Sequence, residues 1–529
     1  MKPTNPLVDP LLTDLYEVTM AYGYWKHGRH EEPAVFDLFF RRNPFGGEFT
    51  IFAGLEEILR FVKRYAFSAE QVDYLRGILP AADPGFFDWL GRARLDGVTI
   101  HAVPEGTLVF PRLPLLRVEG PLGVTQLLET TLLTLVNYAS LMATNAARFR
   151  QIVGESKTLL EFGLRRAQGP DGGVSASRYA YLGGFDATSN LQAGRLFGIP
   201  VRGTHAHAFV QSFKSLGELP STRLKTRAGE EADLAAAALA VRERLRFEHT
   251  NEGELAAFVA YALAFPASFL ALVDTYDTLN SGVPNFVCVA FALMDFGYAP
   301  LGVRLDSGDL AFLSKATRNI FATCGERMGK DVSGLKIVAS NDLDETVLLS
   351  LQNEGHEIDT FGVGTHLVTC ESQPALGCVY KLVEIGGQPR IKLSQDVQKV
   401  TIPGRKEAYR LVGHKGYPLL DLLIQAGEAP PRPGAQILCR HPFEEKKRAF
   451  VTPARVIPLH QRVWAEGRRL QPERPLGEIR SSVLEQLAAF RPDHLRLLNP
   501  THYKISVSER LYDFIHRFWL EESPVPELE

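Results

Sequence analysis

The residues from 299 to 309 read Ala299-Pro-Leu-Gly-Val303-Arg304-Leu305-Asp306-Ser307-Gly308-Asp309. A short apolar run ends here in a polar turn that contains glycine. Other short runs rich in β-forming residues occur along the chain with helical segments between them, at residues 158–162, 199–201, 269–273, 335–339 and 360–363. Strands that alternate with helices indicate βαβ units and parallel pairing. The sequence therefore predicts an α/β fold, either a barrel or a doubly wound sheet.

Polar residues follow the apolar runs at six points along the chain. In a parallel α/β barrel the active site lies at the carboxyl ends of the strands, so these residues are candidates for a functional site. They are Glu161 to Arg166, Arg202 to His207, Asp274 to Asp277, Arg304 to Asp309, Ser340 to Asp342, and Gly364 with Thr365. Surface solvation alone does not readily explain such residues at six strand ends.

The residue types at these strand ends suit phosphate binding. The sequence Gly362-Val-Gly364-Thr365 leaves backbone N–H groups free to approach an anion, although such a sequence is more often an ordinary turn. Arg304, Arg165 and Arg166 can each form two hydrogen bonds with phosphate or carboxylate oxygens. Mg²⁺ takes aspartate oxygens as ligands alongside substrate phosphates. The alternative is that one or two of the aspartates simply pair with these arginines. The candidate aspartates are Asp274, Asp277, Asp306 and Asp309.

Two histidines, His205 and His207, stand at one strand end beside Thr204. A histidine near a hydroxyl and near phosphate-binding groups can act as a general base, as a metal ligand or as an acceptor of a phosphoryl group. The spacing does not decide which of the two faces the site.

Several common catalytic motifs are missing from the sequence. The segment 325–331 is one residue too short for a Walker A loop and ends in Asp rather than Ser or Thr. The chain has no adjacent Asp-Asp pair, which excludes the acidic loop of the common nucleotide-salvage fold. It also lacks His-Glu-x-x-His and Gly-x-Ser-x-Gly, so metalloprotease and α/β-hydrolase interpretations fail.

The composition is that of an ordinary globular enzyme. Of 529 residues, 45% are hydrophobic and 22% are charged, and the length predicts two or three domains. The 58 Lys and Arg residues nearly balance the 61 Asp and Glu residues, for a formal charge of −3. This balance gives no sign of nucleic-acid or membrane binding, which requires clustered positive charge.

The cysteine pattern and the apolar runs indicate a cytoplasmic protein. The five cysteines are odd in number and include no C-x-x-C pair, which excludes a disulfide framework and a zinc ribbon. Prolines at positions 3, 6 and 10 interrupt the amino terminus before an apolar signal segment could form. No apolar run reaches the roughly 18–20 residues that a membrane span requires.

The segments outside the α/β region have a different pattern. We expect a first helix over 14–26 with Thr13 at its N-cap, then a strand over 34–40. The basic, glycine-rich segment 41–47 is either a solvated hairpin turn or an anion-binding loop, and the pattern slightly favours the hairpin. Further predictions are a long buried helix over 122–152, an exposed helical insertion over 215–251, alternating strands from about 378 onward, and a linker over 427–434.

Six motifs, taken in order, resemble the nicotinate phosphoribosyltransferase family. They are Asp14-Leu-Tyr16, Phe39-Phe-Arg41-Arg42-Asn-Pro-Phe45, Glu161-Phe-Gly-Leu-Arg165-Arg166-Ala, Gly203-Thr204-His205-Ala-His207, Val303-Arg304-Leu-Asp306-Ser-Gly-Asp309 and Phe361-Gly-Val-Gly364-Thr365. The resemblance runs from about residue 10 to residue 420, and the length is that of the larger, animal-type members.

The resemblance implies the fold and the reaction. It implies the irregular α/β barrel of type II phosphoribosyltransferases over 146–380, with an α+β domain built from the N-terminal segment 1–145 and the C-terminal segment 381–529. The implied reaction forms nicotinate mononucleotide and diphosphate from nicotinate and phosphoribosyl diphosphate, with ATP hydrolysis, in NAD biosynthesis. Mg²⁺ or Mn²⁺ and a homodimer with shared active sites are also implied, with Arg41–Gly47 as a segment that could reach a neighbour's site.

The resemblance also assigns roles to individual residues. Tyr16 matches a residue that stacks on the pyridine ring, and Thr204 and Arg304 match residues that hold nicotinate. His207 matches the histidine that ATP phosphorylates, and Thr365 with Gly364 matches the 5′-phosphate site. Asn341, Arg165 and Arg166 are expected to contact phosphoribosyl diphosphate, Asp306 to assist catalysis, and Asp306 with Asp309 to hold Mg²⁺. Asn341 stands where many microbial relatives have Gly.

Three other functions compete with this interpretation. A nicotinamide-using transferase of the same fold is expected to carry an acidic residue near Thr204-His205, where this chain has none. A sugar-phosphate lyase or isomerase requires a lysine at a strand end, and the strand ends carry Arg, His and Asp instead. A non-catalytic barrel that binds phosphorylated metabolites would tolerate the loss of His207.

Overall fold

The computed structural model of the chain describes residues 3–394 and 399–523. The chain forms two compact units. The first combines Met1–Asn145 with Cys370–Glu529, and the second is Ala146–Thr369. The second unit is therefore an insertion in the sequence of the first.

The second unit is built on one parallel sheet. Its strands, numbered in chain order, are β1 (Thr158–Glu161), β2 (Ala187–Thr188), β3 (Leu270–Leu272), β4 (Gly302–Leu305), β5 (Lys336–Ala339) and β6 (Thr360–Val363). They lie side by side in the order β3-β4-β5-β6-β1-β2, and every pairing is parallel. Because β1 pairs with β6, the order of the strands is cyclic, as a barrel requires.

The two edge strands of this sheet, β2 and β3, are joined through a histidine side chain. Val201 extends the β2 edge through a bridge to Thr188, and β3 forms the opposite edge. His205 follows Val201 by four residues, and its Nε2 accepts a hydrogen bond from the backbone N–H of Leu272 in β3 at 3.3 Å. A side chain thus takes the place of a backbone ladder bond.

Helices alternate with the strands of the second unit, as the sequence predicts. The α-helices are Gly169–Leu182, Leu191–Phe197, His207–Gln211, Leu234–Leu245, Glu252–Ala264, Val283–Asp295, Leu310–Met328, Glu345–Glu354 and Thr365–Val368. Short 3₁₀ or π turns span Leu164–Arg166, Leu216–Glu218 and Thr278–Gly282, and Arg223–Lys225 pairs with Glu231–Asp233 in a small hairpin. The predicted α/β class with a parallel central sheet is confirmed.

Glu161, at the end of β1, is a buried anchor of the barrel. One carboxylate oxygen accepts a hydrogen bond from the N–H of Gly163. The other accepts hydrogen bonds from the hydroxyls of Ser177, at 2.7 Å, and Thr188. Since these donors lie on three different segments, the carboxylate holds β1, β2 and the helix Gly169–Leu182 together.

The described residues of the first unit form two larger sheets and one small one. The seven-stranded antiparallel sheet runs in the order Gln388–Pro389, Val379–Ile385, Pro33–Phe39, Leu116–Pro121, Thr99–Ala102, Gln461–Ala465 and Arg468–Arg469. The six-stranded sheet runs in the order Arg448–Val451, Ile437–Arg440, Ile505–Ser508, Pro418–Gln425, Lys406–Val412 and Arg455–Pro458. Thr50–Ile51 pairs with Leu108–Val109. The seven-stranded sheet combines strands from both ends of the chain, as expected for an α+β domain.

Helices and two buried ion pairs complete the first unit. The helices are Leu15–Lys26, Leu55–Val62, Ala69–Ile78, Pro84–Arg92, Leu122–Gln126, Glu129–Val153 (which continues into the second unit), Leu476–Ala489, Pro492–Leu495 and Glu509–Glu522. Lys406 Nζ lies 2.8 Å from Asp37 Oδ2, and Arg410 Nε lies 2.8 Å from Asp421 Oδ1. Buried charges of this kind are stable only when they are paired.

Several local predictions were wrong. The segment 41–47 is not a hairpin turn, because the strand before it pairs with Val379–Ile385 and Leu116–Pro121 rather than with the strand that follows it. The long helix is interrupted at residues 127–128, and the first helix begins at Leu15 with Asp14, not Thr13, at its N-cap. Alternating polarity does not reveal which distant strand becomes a neighbour.

Two predicted connections also have a different structure. The exposed segment 215–251 begins with a 3₁₀ turn and a hairpin, and only Leu234–Leu245 is an α-helix within it. The proline-rich segment 427–434 connects two strands of the same six-stranded sheet, so it is a loop inside a domain. Within the described ranges, no helix combines the length and the apolar character needed to cross a membrane.

The burial of Glu161 generates a prediction about stability. Glu161→Ala removes the acceptor of the Gly163 N–H and the Thr188 hydroxyl, whereas the Ser177 hydroxyl keeps the carbonyl of Gly173 at 3.0 Å. Each buried donor left without an acceptor costs about 1–3 kcal/mol, so we expect the free energy of unfolding, measured in urea, to fall by at least about 2 kcal/mol. Glu161→Gln should lose less, and Glu155→Ala at the exposed turn before β1 should change little. Equal stability of the wild type and Glu161→Ala would contradict the anchoring role.

Candidate active site

Arg304 is the central side chain of the candidate site. It lies in β4, and its side chain is only 15% exposed. Its Nε donates to Ser340 Oγ at 2.7 Å, one Nη donates to Thr204 Oγ1 at 3.2 Å, and the other donates to Asp306 Oδ1 at 3.1 Å. Residues from three different strand ends therefore fix one guanidinium group in place.

The carboxylate of Asp306 connects Arg304 to its neighbours. Its Oδ1 also accepts a hydrogen bond from Ser340 Oγ at 2.6 Å. The backbone N–H of Asp306 donates to Asp274 Oδ2 at 2.9 Å. The other oxygen of Asp274, Oδ1, is buried without a hydrogen-bond partner among the described residues. A buried carboxylate oxygen in this condition is suited to an incoming cation or donor.

His207 faces the same network. Its Nδ1 is 3.1 Å from the hydroxyl of Thr275, and its Nε2 is 3.8 Å from Asp306 Oδ2. The ring is 40% exposed, because His207 is the first residue of a short helix at the rim of the barrel. The imidazole is thus oriented on one side by a hydroxyl and remains accessible to a ligand.

His205 has a different environment and a structural role. Its ring packs against Phe209, Phe258 and Tyr261, and its Nε2 accepts the Leu272 N–H. Burial lowers the pKa of His205 to about 4, and the charges of Arg304 and His207 act in the same direction. His205 is therefore a neutral core histidine at pH 7, and His207 is the one that faces the network.

The glycine-rich strand end lies after β6. Gly364 precedes the short helix Thr365–Val368, in which Thr365 is the first residue. A Cβ added at Gly362 would lie 2.5 Å from the ring of Phe162, and one at Gly163 would lie 2.2 Å from Val368. Glycine at these two positions is thus required for close packing of the β1 and β6 ends.

The remaining predicted residues of the second unit lie at its surface. Arg165 and Arg166 are exposed in the 3₁₀ turn after β1, and Asn341 is exposed in the turn after β5. Asp309 and Asp277 each cap a following helical segment through Oδ1, with Phe312 N–H and Asn280 N–H among the donors. These contacts give Asp309 and Asp277 a local role at helix starts.

Tyr16 belongs to the first unit, on the helix Leu15–Lys26. Its side chain is 45% exposed, which leaves one face of the ring available. Burial of the hydroxyl and the charge of Glu129 raise the pKa of Tyr16 to about 12, so the phenol is neutral at pH 7.

Sequence reasoning gave no role to two residues of the network. Ser340 joins Arg304 to Asp306, and Thr275 orients His207. In the sequence, only their position among the polar residues at strand ends marked them as candidates for the site. Glu161 carried the same signal, yet its carboxylate is buried inside the barrel.

Residues 158–415 match the nicotinate phosphoribosyltransferase family model, residues 11–137 match its N-terminal domain and residues 405–515 match its C-terminal domain. Nicotinate phosphoribosyltransferase 2 of Arabidopsis thaliana is 55% identical over 542 residues, covering 100% of this chain and 97% of that protein. The chain belongs to the nicotinate phosphoribosyltransferase family.

Animal relatives and a solved structure agree with this assignment. Human nicotinate phosphoribosyltransferase is 48% identical over 525 residues, covering 97% of each chain. The crystal structure of human nicotinic acid phosphoribosyltransferase matches with a TM-score of 0.86 and 46% identity, over 96% of this chain and 99% of that one. The resemblance found in the six sequence motifs is confirmed, and so is the expectation that this chain is an enzyme of this family.

The environment of His205 predicts how stability depends on pH. In the unfolded chain His205 takes up a proton near pH 6.5, whereas in the folded chain it stays neutral down to about pH 4. The unfolded state therefore binds more protons between these values, and stability falls as the pH falls. At pH 5 this group alone removes about 2 kcal/mol.

His205→Gln tests this dependence, because its amide oxygen can accept the Leu272 N–H and does not titrate. Between pH 7.5 and pH 5, we expect the free energy of unfolding in urea to fall by about 2 kcal/mol less in this variant than in the wild type. Parallel pH curves for the two proteins would contradict the assignment of His205 as a buried neutral histidine.

Proposed function

We propose that this chain forms nicotinate mononucleotide and diphosphate from nicotinate and 5-phosphoribosyl 1-diphosphate, with ATP hydrolysis coupled through phosphorylation of His207. Two supports carry the proposal. The chain is similar over its full length to proteins named for this activity. The cluster of Arg304, Asp306, Ser340 and His207 supplies groups suited to the chemistry.

Arg304 and Thr204 are the proposed recognition groups for nicotinate. Within the described structure, the contacts of Arg304 use four of the five guanidinium N–H groups, which leaves one on Nη2 for a ligand. A carboxylate beside this guanidinium gains a charge-assisted hydrogen bond. A carboxamide in the same position gains only the weaker hydrogen bond of a neutral acceptor, so the site favours the acid over the amide.

His207 has no role in the glycosyl transfer itself. The pyridine nitrogen is already a nucleophile and needs positioning rather than a base. An imidazole nitrogen can instead attack the γ-phosphorus of ATP, forming the P–N bond while the bond to ADP breaks. Thr275 at Nδ1 orients the ring, and Asp306 near Nε2 can stabilise the positive charge that develops on it.

Mg²⁺ fits the carboxylates of this site. The free Oδ1 of Asp274 lies in the same network as Asp306, and Mg²⁺ in such enzymes needs only one or two carboxylates beside substrate phosphates. Asp274 and Asp306 are the residues proposed to hold it, and Asp309 is a weaker candidate because its Oδ1 caps a helix. A bound divalent cation there would stabilise negative charge on the departing diphosphate.

The other assignments follow the family resemblance. Tyr16 is proposed to stack on the pyridine ring, and Thr365 with Gly364 to bind the 5′-phosphate. Arg165, Arg166 and Asn341 are proposed to contact the phosphoribosyl diphosphate from the barrel rim, where they are exposed. A homodimer with shared active sites, division into segments 1–145, 146–380 and 381–529, and a cytoplasmic location remain predictions.

The variant His207→Ala tests the ATP coupling. Without an imidazole to accept the γ-phosphoryl group, we expect ATP hydrolysis in the presence of the other substrates to fall at least about 100-fold, as for other lost nucleophiles. Slow, ATP-independent formation of nicotinate mononucleotide should persist. Thr275→Val, which keeps the imidazole, should reduce coupling by a smaller factor. Unchanged ATP hydrolysis in His207→Ala would contradict the phosphohistidine.

Arg304→Gln tests nicotinate recognition. Losing a charge-assisted hydrogen bond costs about 1.5–3 kcal/mol, so kcat/KM for nicotinate should fall by about 10- to 150-fold. The kcat/KM for nicotinamide, measured in parallel, should fall by a smaller factor or remain the same. An equal loss for both substrates would indicate that Arg304 supports the site without recognising the carboxylate.

A further inference from the structure

A large basic cleft lies within the first unit. Arg41 and Arg42, from the segment expected to reach a neighbour's site, line one part of it, and its other lining residues have no role in the reaction proposed above. Its volume is about 1030 Å³, which exceeds the space that a drug-sized ligand fills. Seven of its twenty lining residues are Lys or Arg and two are Glu, although the whole chain has a formal charge of −3. The cleft thus concentrates positive charge on a protein that has no overall excess of it.

The two glutamates of the cleft are already engaged. Glu444 forms an ion pair with Lys447 at 2.8 Å. Glu48 accepts hydrogen bonds from the backbone N–H of Tyr503 and contacts His502 Nδ1 at 2.9 Å. Three exposed cations, Lys446, Arg448 and Lys504, form no ion pair within the described part of the chain. Their charge is available to a ligand.

Local structure brings these three cations together. Lys446 and Arg448 lie at the turn and the return strand of the hairpin formed by Ile437–Arg440 and Arg448–Val451. Lys504 directly precedes Ile505–Ser508, the strand that pairs with the other side of Ile437–Arg440. Adjacent strands therefore place the cations on one surface.

Hydrogen bonds close the turn of this hairpin. The backbone N–H of His441 donates to the carbonyl of Lys447 at 2.8 Å, and Nδ1 of His441 accepts hydrogen bonds from the N–H groups of Phe443 and Glu444. The guanidinium of Arg112 lies 4.5 Å from the centre of the Phe443 ring. A preorganised turn loses little entropy when it binds a ligand.

The cleft also has apolar walls. Phe443, Pro111, Pro442 and Leu420 line it together with the cations. Inorganic phosphate would use only the charged part of such a surface, whereas an organic polyphosphate would use both parts. The volume accommodates a phosphate chain joined to a ring system.

We propose that this cleft is a binding site for an organic polyphosphate of the size of a nucleoside triphosphate, held through Lys446, Arg448 and Lys504. The phosphate chain pairs with the three cations, and the nucleoside contacts the apolar wall around Phe443. This site is additional to the substrate sites at the strand ends of the barrel.

Isothermal titration of the full-length protein with GTP tests the proposal, because GTP is not a substrate of the proposed reaction. We expect binding that weakens as salt is raised, since the contacts are partly exposed. The triple variant Lys446→Gln/Arg448→Gln/Lys504→Gln should bind GTP at least tenfold more weakly. The matched control Lys415→Gln/Arg432→Gln/Arg455→Gln loses the same charge from exposed positions of the first unit outside the cleft, and it should bind like the wild type. An equal loss in both triple variants, or no binding to the wild type, would overturn the proposal.

Two further titrations distinguish this site from the catalytic site and test the chemistry of its ligand. GTP binding should persist in the presence of saturating phosphoribosyl diphosphate and Mg²⁺, and displacement by them would assign the cleft to the substrate instead. Inorganic triphosphate should bind more weakly than GTP, and equal affinities would contradict an organic ligand. If circular dichroism shows that the triple variant does not fold, Lys504→Gln alone is titrated, with Lys415→Gln as its control. Lys504→Gln should still bind GTP severalfold more weakly than the wild type. A negative result in these titrations would not contradict the proposed nicotinate reaction, because that reaction is measured separately by product formation.

Discussion

The carboxylate of Asp306 is the constraint on which the candidate site depends. One oxygen accepts hydrogen bonds from Arg304 and Ser340, and the other faces His207. Positive charge is costly in a partly buried site unless it is paired, so Asp306 allows Arg304 to lie inside the barrel mouth. The same group is also placed to stabilise charge on the imidazole. In the proposed reaction, nicotinate recognition by Arg304 and phosphoryl transfer to His207 are thereby linked through one side chain.

The barrel needs a second constraint to hold that carboxylate in place. Parallel strands bring distant parts of the chain to one edge, which gathers Thr204, Asp274, Arg304 and Ser340 within hydrogen-bonding distance of a common network. The edges of the sheet meet through the His205 imidazole rather than through backbone pairing alone. Glu161 fastens the neighbouring strands from inside. Glu161 and His205, which have structural roles, and the candidate functional groups therefore share the same end of the barrel.

Two histidines separated by one residue illustrate this division. His205 is surrounded by aromatic rings and has a lowered pKa because charge is unfavourable there. His207 begins a helix, and this change of backbone direction turns its ring toward Thr275 and Asp306. Residue type and spacing are compatible with either assignment. The family motif points to His207, and the path of the chain after Val201 gives the physical reason why one histidine is in the core and the other is a candidate nucleophile.

The sequence by itself determined the alternation of strands and helices, the parallel α/β class and the polar strand ends from Glu161 to Thr365, because these depend on local periodicity and on residue type. Its six motifs also indicated the family. The tertiary structure alone decided that residues 41–47 do not form a hairpin and that Glu161 is buried. It also decided that Asp274, rather than Asp309, has a free buried oxygen beside Asp306, and that the cations of the C-terminal hairpin line one cleft. These outcomes depend on contacts between residues far apart in the chain, and a linear pattern carries no record of which distant segments meet.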